Sequence, residues 1–113
     1  MPNPPSPSRK AVGKGRVRGS RTGRPIMVLL DLFGRRWCLR ILWELRETSM
    51  TSRALRAACD EASPTVLNER LKELREADFI ELGDAGYALT ALGRELSEKF
   101  MPLHHFAETW SGR

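Results

Sequence analysis

At 113 residues the chain has room for one domain with a modest core, and no run approaches the eighteen apolar residues of a membrane span. The net charge of +5 hides a strong asymmetry: residues 1–24 hold seven cations and no acid, whereas residues 25–113 carry 12 cations against 14 acids. Two cysteines make no disulfide framework and the basic N-terminus lacks the apolar stretch of a secretory signal, so a cytoplasmic protein is expected.

Residues 1–24 are rich in Pro, Gly, Ser and Arg and show no hydrophobic period. They offer too little apolar surface to repay the entropy of ordering, and read as a disordered basic arm. Arg16, Arg18, Arg21 and Arg24 suit an arm that tracks a DNA backbone or enters a minor groove; a solubilising tail or a misassigned start codon is the competing reading. Residues 25–113 form the second unit. Pro25 opens a first helix that Gly34 closes, apolar on nearly every side (Ile26, Leu29, Leu30, Phe33), which calls for a second subunit as cover. A second helix is expected over Arg35–Glu47, with Trp37, Ile41, Leu42 and Leu45 inward. A short third follows from Thr51 or Ser52 to Cys59, Leu55 inward and Arg53 and Arg56 outward, and Asp60-Glu61-Ala62 makes a tight turn.

The stretch Ser63–Ala77 reads as one amphipathic helix. Ser63 suits the N-cap and Pro64 the first helical position, where its missing N–H costs nothing. Leu67, Leu71 and Leu74 fall at i, i+4, i+7 and make the inward stripe. At about 100° per residue the opposite face carries Thr65, Asn68, Glu69, Lys72 and Glu76, with Arg75 at its edge. Small hydrogen-bonding groups at the N-terminal end and cations further along are what a helix reading DNA base edges requires. Helix, short turn, helix is the helix-turn-helix arrangement, whose first member crosses the DNA backbone; Arg53 and Arg56 suit that use, or are solvated surface arginines.

After Ala77 the period changes. Phe79, Ile80 and Leu82 read as a strand, Gly83-Asp84-Ala85-Gly86 as a turn and Tyr87-Ala88-Leu89 as the returning strand, a small hairpin wing. Thr90 then caps a long last helix with an apolar stripe at Leu92, Leu96, Phe100, Leu103, Phe106 and Trp110, and Pro102 is expected to kink it. Phe106 and Trp110 have little intrachain core left to join and point to a dimer contact. The fold expected is mainly α with a small β-hairpin wing, a winged helix-turn-helix dimerising through its first and last helices.

Four motifs in order resemble the HxlR family of bacterial winged-helix transcription regulators. They are Leu32-Phe33-Gly34-Arg35-Arg36-Trp37 with Ile41-Leu42-Trp43-Glu44-Leu45; Ser63 to Leu74; Tyr87-Ala88-Leu89-Thr90-Ala91-Leu92-Gly93-Arg94-Glu95-Leu96; and Leu103 with Trp110. The resemblance spans roughly residues 26–110. It implies a homodimer built from the first and last helices (Ile26, Leu29, Leu30, Phe33, Phe100, Leu103, Phe106, Trp110), with two recognition helices in successive major grooves of a pseudo-palindromic operator. Three positions depart from the family pattern. Arg24-Pro25 stand where many members carry a cysteine, Thr51-Ser52-Arg53-Ala54-Leu55 replaces R-F-x-E-L, and the wing carries Asp84 in place of basic residues, which leaves minor-groove contact to the arm.

No phosphate-binding glycine loop, Ser-His-Asp order or H-E-x-x-H is present, so neither an enzyme nor a cofactor is expected. His104-His105 have no third ligand at metal spacing. Cys38 is expected to be a buried structural thiol, and for Cys59 an exposed and oxidisable thiol is the less favoured reading. The leading reading is a sequence-specific regulator of transcription, most simply a repressor. Thr65 and Asn68 would read base edges, the helix terminus at Ser63 and Pro64 would face a phosphate, and Glu69 belongs to the same DNA-facing set. Lys72, Arg75, Arg53, Arg56 and the arm would add sequence-independent affinity; a pocket at the dimer interface is the expected place for a small-molecule effector. The alternative is a winged-helix protein-interaction module whose basic arm binds nucleic acid non-specifically.

Overall fold

The structure, a computed structural model, describes residues 23–112. Five helices and a two-stranded hairpin follow in the order α1 (Pro25–Phe33), α2 (Cys38–Glu44), α3 (Ser52–Ala58), α4 (Pro64–Glu76), β1 (Ile80–Gly83), β2 (Gly86–Leu89) and α5 (Ala91–Ser111). The expected disordered arm, with Arg16, Arg18 and Arg21, lies outside the described residues. The winged helix-turn-helix is present as expected: α3, a turn and α4, then the wing.

The core gathers around the stripe of α4. Leu67, Leu71 and Leu74 are buried against Cys38, Ile41, Leu42 and Leu45 of α2 and its C-cap, with Leu55 and Cys59 from α3. Each fully buried leucine contributes about 1.5–3 kcal/mol by leaving water. The hairpin is antiparallel, pairing Ile80 with Leu89 and Gly83 with Gly86. Ahead of α3, Met50 joins it through two backbone hydrogen bonds with Tyr87 (2.9 and 2.8 Å), which ties the wing to the helix-turn-helix. That approach depends on Gly86, whose φ of +113° and closeness to the Met50 carbonyl leave no room for a side chain.

Several element bounds differ from the expected ones. The second helix begins at Cys38, not Arg35, because residues 34–37 make tight turns that end with Trp37 in the left-handed region (φ 76°). It closes at Glu44 before reaching Glu47: Arg46 folds back, its guanidinium 3.6 Å from the Trp43 ring centre and bonded to the Trp43 carbonyl (2.9 Å). Phe79 is not in the strand. It follows the left-handed Asp78 in a turn, where its N–H donates to the Leu74 carbonyl (3.0 Å) and its own carbonyl accepts from Thr90 N–H (3.0 Å). The last helix carries through Pro102 to Ser111; the proline is on the exposed side, so water can serve the carbonyl that loses its partner.

Thr90 starts α5 with two bonds, its Oγ1 accepting from Gly93 N–H (2.9 Å) and donating to the Asp78 carbonyl (2.6 Å). Gly93 is buried on the same spot, and a methyl group there would collide with the Phe79 carbonyl oxygen. Gly93→Ala is therefore expected to cost about 1–3 kcal/mol by overpacking. Urea unfolding measures this directly; an unchanged midpoint would mean that α5 and the Phe79 turn are not held in this contact.

Candidate nucleic-acid interface

The α4 helix presents its two faces as its sequence dictates. Leu67, Leu71 and Leu74 are buried, whereas Ser63, Pro64, Thr65, Asn68, Glu69, Lys72 and Arg75 are all exposed. Thirteen residues at about 1.5 Å rise give a rod near 20 Å long, and its diameter matches a major groove about 12 Å wide. Ser63 occupies the N-cap position but its hydroxyl makes no capping bond, so the first amides of α4 are not satisfied by its own side chain. Lys72, Arg75 and Arg53 on α3 make no ion pair with another described residue.

Arg56 is placed differently from a plain phosphate contact. The turn between α3 and α4 puts both Asp60 and Glu61 at positive φ (57° and 59°), an unfavourable conformation for side-chain-bearing residues. Arg56 ties this turn down, its Nε donating to the Ala62 carbonyl at 3.0 Å beside Glu61 (3.7 Å). Arg40 of α2 does the same for the end of α3, bonding the Ala58 carbonyl (2.5 Å) and Glu44 (2.7 Å). Arg56 thus ties the turn between α3 and α4, and Arg40 ties the end of α3 to α2, in addition to the core.

A second set of charges holds α4 from behind. Arg35, in the turn after α1, bonds Asp31 (3.1 Å) and Glu73 (2.8 Å), and Glu73 bonds Arg70 (2.6 Å). Although burial opposes its charge, the Glu73 and Asp31 carboxylates hold the Arg35 guanidinium above its ordinary pKa. Arg70 and Glu73 are only 17% and 22% exposed, so the edge of α4 facing α1 is engaged within the protein and does not belong to the outer face. Sequence reasoning missed this network because Arg35 and Glu73 are 38 positions apart, where no helical spacing connects them.

The remaining site residues divide by exposure. Arg24 is exposed at the start of α1. Ile26, Leu30, Leu103, Phe106 and Trp110 are 52–61% exposed, forming apolar surface on α1 and α5. Leu29 and Phe33 pack on the core, and Phe33 meets Phe100 edge-on at 5.1 Å, joining the two helices within the chain. At the wing, Glu81 and Asp84 are exposed, so its surface is acidic.

The HxlR-like helix-turn-helix family model matches residues 32–113. The chain belongs to that family. No curated protein and no solved structure matches it. HxlR-like proteins are DNA-binding regulators of transcription, and membership gives this chain that coarse function. Among the described residues no helix is long and apolar enough to cross a membrane.

The less favoured reading of Cys59 as an exposed thiol does not hold. Both thiols are buried with 0% exposure, because Cys59 turns inward at the end of α3 onto Leu55 and its neighbours. Burial, reinforced by the nearby Glu73 carboxylate, pushes the Cys38 thiol up to about 11, and burial also raises Cys59. The fold favours the neutral Cys38 thiol. That contribution is whole below the ordinary value of 9.0 and is lost as pH climbs toward 11. Both cysteines are expected to resist iodoacetamide at about pH 8 until urea unfolds the protein. Alkylation of the native protein at the rate of a free thiol would contradict this burial.

Proposed function

We propose that the chain is a homodimeric, sequence-specific regulator of transcription, most simply a repressor, that inserts α4 in the major groove of a pseudo-palindromic operator. The reading rests on the unobstructed N-terminal half of α4, where Thr65 and Asn68 are exposed over a buried leucine stripe. Asn68 suits bidentate contact with adenine, and the Thr65 methyl suits the methyl of thymine. Ser63 and Pro64 bring the helix terminus toward a phosphate, Glu69 borders the base-reading groups, and Arg53, Lys72 and Arg75 supply sequence-independent affinity. Arg56, exposed on α3, holds the turn beside that surface. The acidic wing repels the minor groove, which leaves that contact to the arm that precedes α1.

Dimerisation through α1 and α5 is supported by the exposed apolar side chains of Ile26, Leu30, Leu103, Phe106 and Trp110, large groups that a partner surface would cover. The symmetry of such a dimer would set the two α4 helices about 34–36 Å apart, one turn of duplex. Phe106→Glu is expected to convert the dimer to monomer in analytical ultracentrifugation without loss of helix content. An unshifted dimer would exclude α5 from the interface.

The decisive experiment is binding to the DNA upstream of the protein's own gene, against random duplex, across a salt series. A specificity ratio of about 10³ or more would establish the regulator. Asn68→Ala should then cost about 1–3 kcal/mol on the cognate site and little on random DNA. Equal affinities for both duplexes, vanishing together as salt rises, would instead favour a protein-interaction module with a basic arm, a reading consistent with the acidic wing.

A further inference from the structure

Between α2 and the middle of α5 lies a cavity of about 360 Å³, at the smaller end of the usual 300–1,000 Å³ for ligand pockets. Its walls are Leu42 and Trp43 on one side and Leu96, Phe100 and Leu103 on the other. None of the proposed DNA contacts lines it. We propose that this cavity is a binding site for an uncharged, mainly apolar small molecule carrying a hydrogen-bonding group.

Three observations set that chemistry. The one arginine in the lining, Arg40, is already neutralised by Glu44 and bonded to the Ala58 carbonyl, so no cation is left to attract an anion. His104 leans on the Trp43 ring (centres 4.7 Å apart), with its Nε2 3.4 Å from Glu108. Two polar groups do lack partners: the Trp43 indole N–H and the Ser97 hydroxyl make no hydrogen bond to any described residue. A pocket with apolar walls and a few polar groups awaiting a partner selects a neutral ligand, since a charged one would lose its hydration with nothing in return. The Trp43 ring is held in place by Arg46 at 3.6 Å, so the wall is formed before any ligand arrives.

The occupant is a small molecule and not the proposed second copy of the chain. Of the apolar surface offered for dimerisation, Ile26, Leu30, Leu103, Phe106 and Trp110, only Leu103 also lines the cavity, at its rim; the other four lie outside it. The inference stands whether or not α4 reads DNA, and its test uses no DNA.

The test uses N-phenyl-1-naphthylamine, an uncharged fluorescent probe, with the full chain. Saturable binding at one probe per chain is expected, with the same affinity at protein concentrations that favour monomer and dimer. Ala107 lines the cavity from an exposed position, so Ala107→Phe should fill it without disturbing the core, weakening the probe by roughly tenfold or more. Circular dichroism and sedimentation confirm that this variant keeps its fold and oligomeric state. Ser97→Ala, which removes a hydroxyl and little volume, should leave a purely apolar competitor such as naphthalene unaffected while weakening 1-naphthol. Non-saturable binding, undiminished binding to a folded Ala107→Phe, or binding confined to the monomer would overturn the proposal, the last by showing that a second copy covers the cavity.

Discussion

Everything the motif presents to the outside depends on the burial of Leu67, Leu71 and Leu74 against α2. Those three side chains fix the rotation of α4 about its axis, and with it the direction in which Thr65, Asn68, Lys72 and Arg75 point. A rotation of α4 by one residue, about 100°, would bring a polar side chain into the core and expose a leucine. The free energy of the core is therefore also what keeps the outer face in register.

Charged groups complete what the core leaves open. Hydrophobic packing sets rotation well but resists sliding and tilting less, because apolar contacts are not directional. Arg56 and Arg40 supply direction at the turn, and Arg35 with Glu73 and Arg70 supplies it along the back of α4. These bonds are partly buried, where a charge-assisted hydrogen bond is worth more than at the open surface. The same network reaches Asp31 of α1, so the helix proposed to carry the dimer contact and the helix proposed to carry base reading share one set of ion pairs.

The molecule divides its apolar surface into two parts with different geometry. On α1 and the end of α5 the apolar residues stand exposed on the helix surfaces and suit a broad contact with another protein surface. Between α2 and α5 the apolar residues surround a hollow, and a hollow favours an object that fits inside it. Gly93 and Thr90 anchor one end of α5 to the Phe79 turn, and Phe33 against Phe100 anchors its middle, so the walls of that hollow are held from two sides.

Much of this was legible in the residues themselves. The i, i+4, i+7 leucines of α4, the glycine-bounded hairpin and the stripe of α5 are local patterns, repeated at the period of the element they form, so the order of elements and the outer face of α4 could be read directly. Tertiary structure alone decided the burial of Cys59, the left-handed Trp37, the engagement of Arg56 with its own turn and the pairing of Arg35 with Glu73. Each depends on groups brought together across turns or from distant parts of the chain. A charged residue in a helix reads the same whether it meets solvent, a phosphate or a carbonyl. Periodicity determines which face a side chain lies on, and only the packed structure determines what waits there.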